Sequence, residues 1–259
     1  MEYTGVIFEK VGNVGVITLN RPEKLNAIDT PTSNAIIQLL SDVQQGDEIR
    51  CLVLTGNGRA FCAGGDISEE SGKTVLSGYD FSVLGHAMTN ALAACSIPII
   101  CAINGYALGG GLEYALACDF RYAASTAKIG APESNLGVIP GAGGTQRLPR
   151  IVGVTKAKEM IYTGRKYTAE ECKEMGLVEK VCEPDKLMEE TMAFAKEIAD
   201  RAPVSVRFSK FAIDRGIDMD LKASLDLEAT LYGLIHSTYD AKEGLNAFLE
   251  KRSPKFEGR

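Results

Sequence analysis

The sequence predicts an α/β fold that turns mainly helical after about residue 153. Three observations carry this: short β-branched strings ending at glycine-containing turns, helical apolar spacing between them, and a final third in which the helical period dominates. In order, residues 6–8 and 14–19 read as strands, with Val11-Gly12-Asn13 as their hairpin turn. A helix follows near 32–43, where Ile36, Ile37, Leu40 and Val43 share one face. Residues 51–54 form a buried strand stopped by Thr55-Gly56-Asn57-Gly58, and 98–103 form another stopped by Asn104-Gly105. Residues 112–118 read as helix, and 119–122 and 128–130 continue the strands.

Residues 68–85 break this pattern. They are polar and glycine-containing, so the expectation is a mobile surface segment able to wall a pocket. Further on, Leu187, Thr191, Phe194, Ala195 and Ile198 keep helical spacing, and Ala202-Pro203 interrupts before another helix. Over 221–235, Leu221, Leu225, Ala229 and Tyr232 make one stripe, flanked by a second of Leu227, Leu231, Leu234 and Ile235. Together they cover more than half the helix circumference. Either another subunit or the interior of the same chain must cover that arc.

At 259 residues the chain suits one large domain, or a domain with an appended element. A chain of this size buries roughly 75% of its unfolded surface and needs no covalent staple. The net charge of −6 argues against a nucleic-acid surface. No apolar run reaches the length of a membrane span, and Met1-Glu2-Tyr3-Thr4 opens no signal-like pattern. Seven cysteines, an odd number without a CxxC, point to buried thiols in a reducing cytoplasm. Two histidines, His86 and His236, do not make a structural zinc site, and no metal is expected.

The chemistry gathers at three glycine-rich stretches. Gly109-Gly110-Gly111-Leu112-Glu113 lies at a strand-to-helix junction, where the first helical N–H groups lack partners and a ligand can approach closely. A tight turn with close helix packing explains the same glycines, and Glu113 also suits a helix N-terminus for its charge alone. In Arg59-Ala60-Phe61-Cys62-Ala63-Gly64-Gly65-Asp66 a second glycine pair precedes a helix, with Asp66 as its N-cap and Cys62 as a small buried apolar residue. In the third stretch Pro132 restrains the chain before Glu133, and Gly141-Ala142-Gly143-Gly144 opens another helix. Glu133 reads either as a fixed loop carboxylate or as a solvated charge. Two carboxylates can hold one water and move two protons, and exposed N–H groups can stabilise an oxyanion. The chain has no complete GxGxxG, GxSxG, Walker A or HExxH pattern.

These residues resemble the enoyl-CoA hydratase/isomerase family, the crotonase superfamily. The resemblance runs over nearly the whole chain. It includes Leu19-Asn20-Arg21-Pro22 with Asn26-Ala27, the stretch from Phe61 to Asp66, and Asn104 to Gly111; it continues through Pro132-Glu133, Pro140 to Arg147, and Phe248-Leu249-Glu250-Lys251-Arg252. It implies a crotonase-like spiral of repeated ββα units over residues 1–195 and a C-terminal α-helical oligomerisation region over 196–259. It also implies a homotrimer or homohexamer, which suits the broad apolar arc at 221–235.

By motif position the resemblance makes the backbone N–H groups of Gly65 and Gly110 the oxyanion hole for a thioester oxygen. Many relatives carry alanine where this chain has Gly65, but only the main-chain donor is needed. Glu113 and Glu133 fall on the two catalytic carboxylates of family hydratases, and Gly141 on a position that helps hold the reacting water. Isomerases of the family typically keep only the second carboxylate. The implied activity is therefore hydration of a 2-enoyl-CoA to a 3-hydroxyacyl-CoA, with coenzyme A as part of the substrate and no separate cofactor. Coenzyme A contacts are implied at Ala60, Phe61, Cys62, Ala63 and Gly64, with Lys24 as a phosphate candidate. Phe248 and Lys251 match the family's C-terminal nucleotide contact, donated by a neighbouring subunit or else lying on a solvated helix. Rival readings are a hydratase for cyclic or dienoyl-CoA substrates, an enoyl-CoA isomerase, and a non-catalytic CoA-binding or RNA-binding relative.

Overall fold

A computed structural model describes residues 3–46 and 48–259. Strands β1 (Val6–Val11) and β2 (Val14–Leu19) pair antiparallel, with Val11 opposite Val14, so Gly12 and Asn13 alone make the turn. Helix α1 (Thr30–Gln44) starts where the Asp29 carboxylate accepts the Thr32 N–H at 2.9 Å, and it buries Ile36, Leu39 and Leu40.

A repeated unit then begins. Strand β3 (Cys51–Gly56) turns into β4 (Ala60–Cys62), followed by α2 (Ile67–Glu70) and α3 (Val75–Ala93). Strand β5 (Ile99–Ile103) turns into β6 (Tyr106–Leu108) and then α4 (Gly110–Leu116). Strand β7 (Phe120–Ala124) turns into β8 (Lys128–Gly130), a 3-10 turn (Pro132–Leu136), α5 (Gly144–Val152) and α6 (Val154–Thr163). The first strand of each unit joins a six-stranded sheet ordered β1-β2-β3-β5-β7-β10, and the second joins a four-stranded sheet ordered β4-β6-β8-β9. Strands β9 (Tyr167–Thr168) and β10 (Lys180–Cys182) flank α7 (Ala169–Glu174). This is the spiral of ββα units that the resemblance implied.

The large sheet is covered on both faces. Along β3, Leu52 and Leu54 enter one apolar cluster while Cys51 and Val53 enter the other, as the two-residue period of a strand requires. Helix α8 (Leu187–Ala199) seals the second face and runs across residue 195; its Phe194 stacks on Tyr122 with centroids 5.5 Å apart. All seven cysteines are free and buried. Among the described residues no helix is long and apolar enough to cross a membrane.

One expectation changes, and one left open narrows. Residues 68–85 are not an irregular segment: Thr74 caps α3 through a reciprocal bond with Ser77, and the helix runs unbroken to Ala93. Its N-terminal half buries no residue, so no apolar period marked it; only Met88, Thr89 and Leu92 reach the core. The second concerns α9 (Pro203–Gly216) and α10 (Leu221–Ile235), which pack on each other, followed by α11 (Tyr239–Leu249). No residue of α10 is buried, and Leu221, Leu225 and Tyr232 stay 75%, 53% and 69% exposed. Its own chain half-buries Leu227, Leu231 and Ile235 and leaves the rest of the arc exposed.

Candidate active site

Parallel pairing of β4 with β6 brings the turns that follow them side by side. The approach is close enough that a side chain at Gly111 would run into the Cys62 carbonyl, and a Cβ on Gly110 would stand 3.3 Å from the Gly65 nitrogen. Gly109 makes the corner at φ 53 and ψ −123, a backbone region open only to glycine. Gly110 then starts α4. The N–H groups of Gly65 and Gly110 donate to no acceptor among the described residues. Two neighbouring free donors at one cavity wall are what a developing oxyanion needs.

Glu113 stands in the first turn of α4 and is 4% exposed. Its Oε1 accepts the N–H of Ala142 at 2.8 Å and that of Gly144 at 2.7 Å, both from the turn that opens α5. Burial raises its pKa, and the two N–H donors, with His86 and Arg147, work against that rise. The turn itself is clamped. Thr89 donates to the Ala142 carbonyl at 2.9 Å, and Arg147 Nη1 reaches the same oxygen at 3.3 Å while its Nη2 donates to Asn90 at 2.7 Å. Gly143, at φ 105, leaves room for that guanidinium.

Glu133 is placed by the 3-10 turn that Pro132 begins and Gly137 ends at φ 74. Asn135 ties this turn to the Gly164 carbonyl at 3.1 Å. The Glu133 Oε2 is buried with no partner among the described residues. Burial lifts its pKa to about 7, helped by the neighbouring charges of Glu113 and Glu70. The two carboxyls therefore differ: one is held by two backbone donors, the other favours its proton.

One cavity of about 880 Å³ gathers Ala63, Gly64, Gly65, Gly110, Glu113, Glu133 and Gly141. It is wide enough for a drug-sized ligand. Lys24, Ala60, Phe61, Cys62, Phe248 and Lys251 are not among its lining residues. The side chains of Ala60, Phe61 and Cys62 are buried in the sheet, and Asn26 donates to the Ala60 carbonyl at 2.8 Å. The Cys62 thiol, pushed up to about 12 by burial, is inert as a nucleophile. Asp66 is an N-cap as expected, accepting the Ser68 N–H at 3.1 Å and pairing with Arg21. Phe248 is 82% exposed.

Sequence reasoning passed over Arg147, His86 and Glu70. His86 lines the cavity from α3, and Glu70 lines it from the last position of α2. Glu70 sits in the stretch 68–85 that read as a mobile surface segment able to wall a pocket, and His86 directly follows it. Arg147 carried a signal: it stands four residues after Gly143, one helical turn from the clamp it makes.

Known proteins are similar to this chain along its length. A family model for enoyl-CoA hydratase/isomerase matches residues 9–259. A short-chain-enoyl-CoA hydratase of Clostridium acetobutylicum is 43% identical, over 100% of this chain and 98% of its own. A crotonyl-CoA hydratase of Syntrophomonas wolfei is 40% identical over 99% of both. The crystal structure of an enoyl-CoA hydratase from Bacillus anthracis superposes with a TM-score of 0.95 at 41% identity, covering 99% of this chain and 100% of that one.

Proposed function

The chain belongs to the enoyl-CoA hydratase/isomerase family, and we propose that it adds water across the 2,3 double bond of a 2-enoyl-CoA thioester to give the 3-hydroxyacyl-CoA. The observation that carries this reading is the pair of unlike carboxyls, Glu113 and Glu133, on one cavity beside two free N–H donors.

The thioester oxygen takes the N–H groups of Gly65 and Gly110. Ionised Glu113 removes a proton from a water held near Gly141, and the water oxygen bonds to C3. The double-bond electrons move onto the thioester oxygen, where each donor contributes roughly 3 kcal/mol to the transition state. Protonated Glu133 then delivers its proton to C2. Atoms balance without a redox partner, and coenzyme A enters only as part of the substrate. A crotonyl-CoA assay following loss of the enoyl-thioester absorbance tests the reading; a folded protein that leaves crotonyl-CoA and longer 2-enoyl thioesters unchanged overturns it.

The assembly belongs to the same reading. Ile213, Ile217, Leu221, Leu225, Tyr232 and Leu234 expose an apolar surface on α9, α10 and the turn between them. Burying each large aliphatic side chain is worth about 2 kcal/mol. A homotrimer or homohexamer built on the helical region 196–259 beside the core 1–195 covers that surface. It also lets Phe248 and Lys251 of one subunit serve the coenzyme A of the next. Light scattering at micromolar concentration reads this directly, and a clean mass of 27.8 kDa rules it out. Free buried thiols suit a cytoplasmic setting.

A further inference from the structure

Glu70 is a third carboxyl on the reaction cavity, and the hydration chemistry leaves it unused. It ends α2, where its Oε1 leans on Gly65: a Cβ built on that glycine would stand 2.8 Å from the oxygen and 3.6 Å from the Phe81 ring. The carboxyl therefore borders the donor assigned to the thioester oxygen. It has no hydrogen bond or ion pair among the described residues. The nearby cation, Lys73, lies 4.4 Å over the Phe81 ring. Apolar side chains of Ile67, Phe81 and Leu84 share this wall. Burial raises the Glu70 pKa, and Lys73 only offsets it.

An unpaired carboxyl beside an apolar wall discriminates between acyl chains. A hydrocarbon tail displaces its water and returns no hydrogen bond, which leaves a desolvated polar group. A hydroxyl on the acyl chain returns an O–H donor. A carboxylate on the acyl chain meets three acidic side chains, Glu70, Glu113 and Glu133. We propose that Glu70 is a specificity-determining residue that selects 2-enoyl-CoA thioesters bearing a hydroxyl beyond the double bond. This rests on the hydratase reading above and names its substrate class.

The test compares but-2-enoyl-CoA with 4-hydroxybut-2-enoyl-CoA in the wild type, Glu70→Gln and Glu70→Leu, reading kcat/KM for each. The wild type should favour the hydroxylated thioester by at least ~10-fold, since a site built for a hydroxyl discriminates strongly against its absence. Glu70→Leu should reverse that preference. Glu70→Gln, of the same shape and still an acceptor, should keep part of it. Far-ultraviolet circular dichroism checks that each variant folds, and Glu70→Gln keeps the test decisive if the leucine variant does not. A wild-type ratio near one, or a ratio that stays the same across all three proteins, overturns this inference and leaves the hydratase reading standing. A wild type that hydrates neither thioester overturns both.

Discussion

Two turns carry the two carboxyls, and the protein treats them in opposite ways. The turn before α5 aims the N–H groups of Ala142 and Gly144 at Glu113 and is itself locked by Thr89 and Arg147. The 3-10 turn after β8 buries Glu133 and leaves its Oε2 with no partner. Burial raises both pKa values, so burial alone does not separate base from acid. Backbone donors do. The N–H donors of Ala142 and Gly144 oppose the rise at Glu113, while Glu133 has no such pair of donors and rises to about 7. One fold thus gives two carboxyls on one cavity unlike hydrogen-bonded settings.

The largest effect should come from erasing the difference. Glu113→Gln and Glu133→Gln each preserve shape and remove a proton carrier, so each should lower hydration by at least ~10²-fold in steady-state assays. Near-normal turnover in either folded variant breaks the comparison. Gly144→Ala comes next. Its methyl group would meet Glu113 Oε1 at 2.9 Å and the Pro140 Cβ at 2.9 Å, driving the base off its donors. We expect a loss of roughly 10–10²-fold in kcat, in the range that small misplacements of a catalytic group produce. Arg147→Gln should cost about 10-fold and move the acidic limb of the pH–rate profile upward, because the guanidinium favours the charge on Glu113. The alkaline limb, set by Glu133, should stay in place.

The smallest effect concerns stability and has the same sign but a different size at the two positions. Glu133 has a raised folded pKa, so its favourable contribution is present at low pH and is lost as pH rises through about 7. Glu133→Gln should therefore raise the melting temperature at pH 8 by roughly 2–4 °C, and hardly at pH 5. Glu113 also has a raised folded pKa, so Glu113→Gln should likewise gain at pH 8 relative to pH 5, and by less because two N–H donors offset the burial of its charge. Differential scanning calorimetry at the two pH values separates these outcomes.

Much of this contrast was legible in the sequence. Glycine runs before Glu113 and before α5, and proline before Glu133, mark turns whose geometry their residue types dictate. The long strands β2, β3 and β5 were legible because both faces are buried and their apolar runs are continuous. Strands β4, β6 and β8 are three residues each, too short to show a period, yet they set the two donor turns side by side. Helix α3 stayed hidden because its N-terminal half buries no residue. Glu70 and His86 stayed hidden with it. The orphan state of Glu133 Oε2 is a tertiary fact with no local signal, since it depends on which donors other segments fail to bring.

The proposed reaction requires Glu133 to hold its proton more readily than Glu113 in the resting enzyme. Carbon-13 NMR of selectively labelled glutamate side chains, titrated from pH 4 to pH 9, reads this most directly. One carboxyl should titrate near 7, and its resonance should vanish in Glu133→Gln while surviving in Glu113→Gln. A near-neutral titration that vanishes instead in Glu113→Gln would contradict the account and exchange the roles of acid and base.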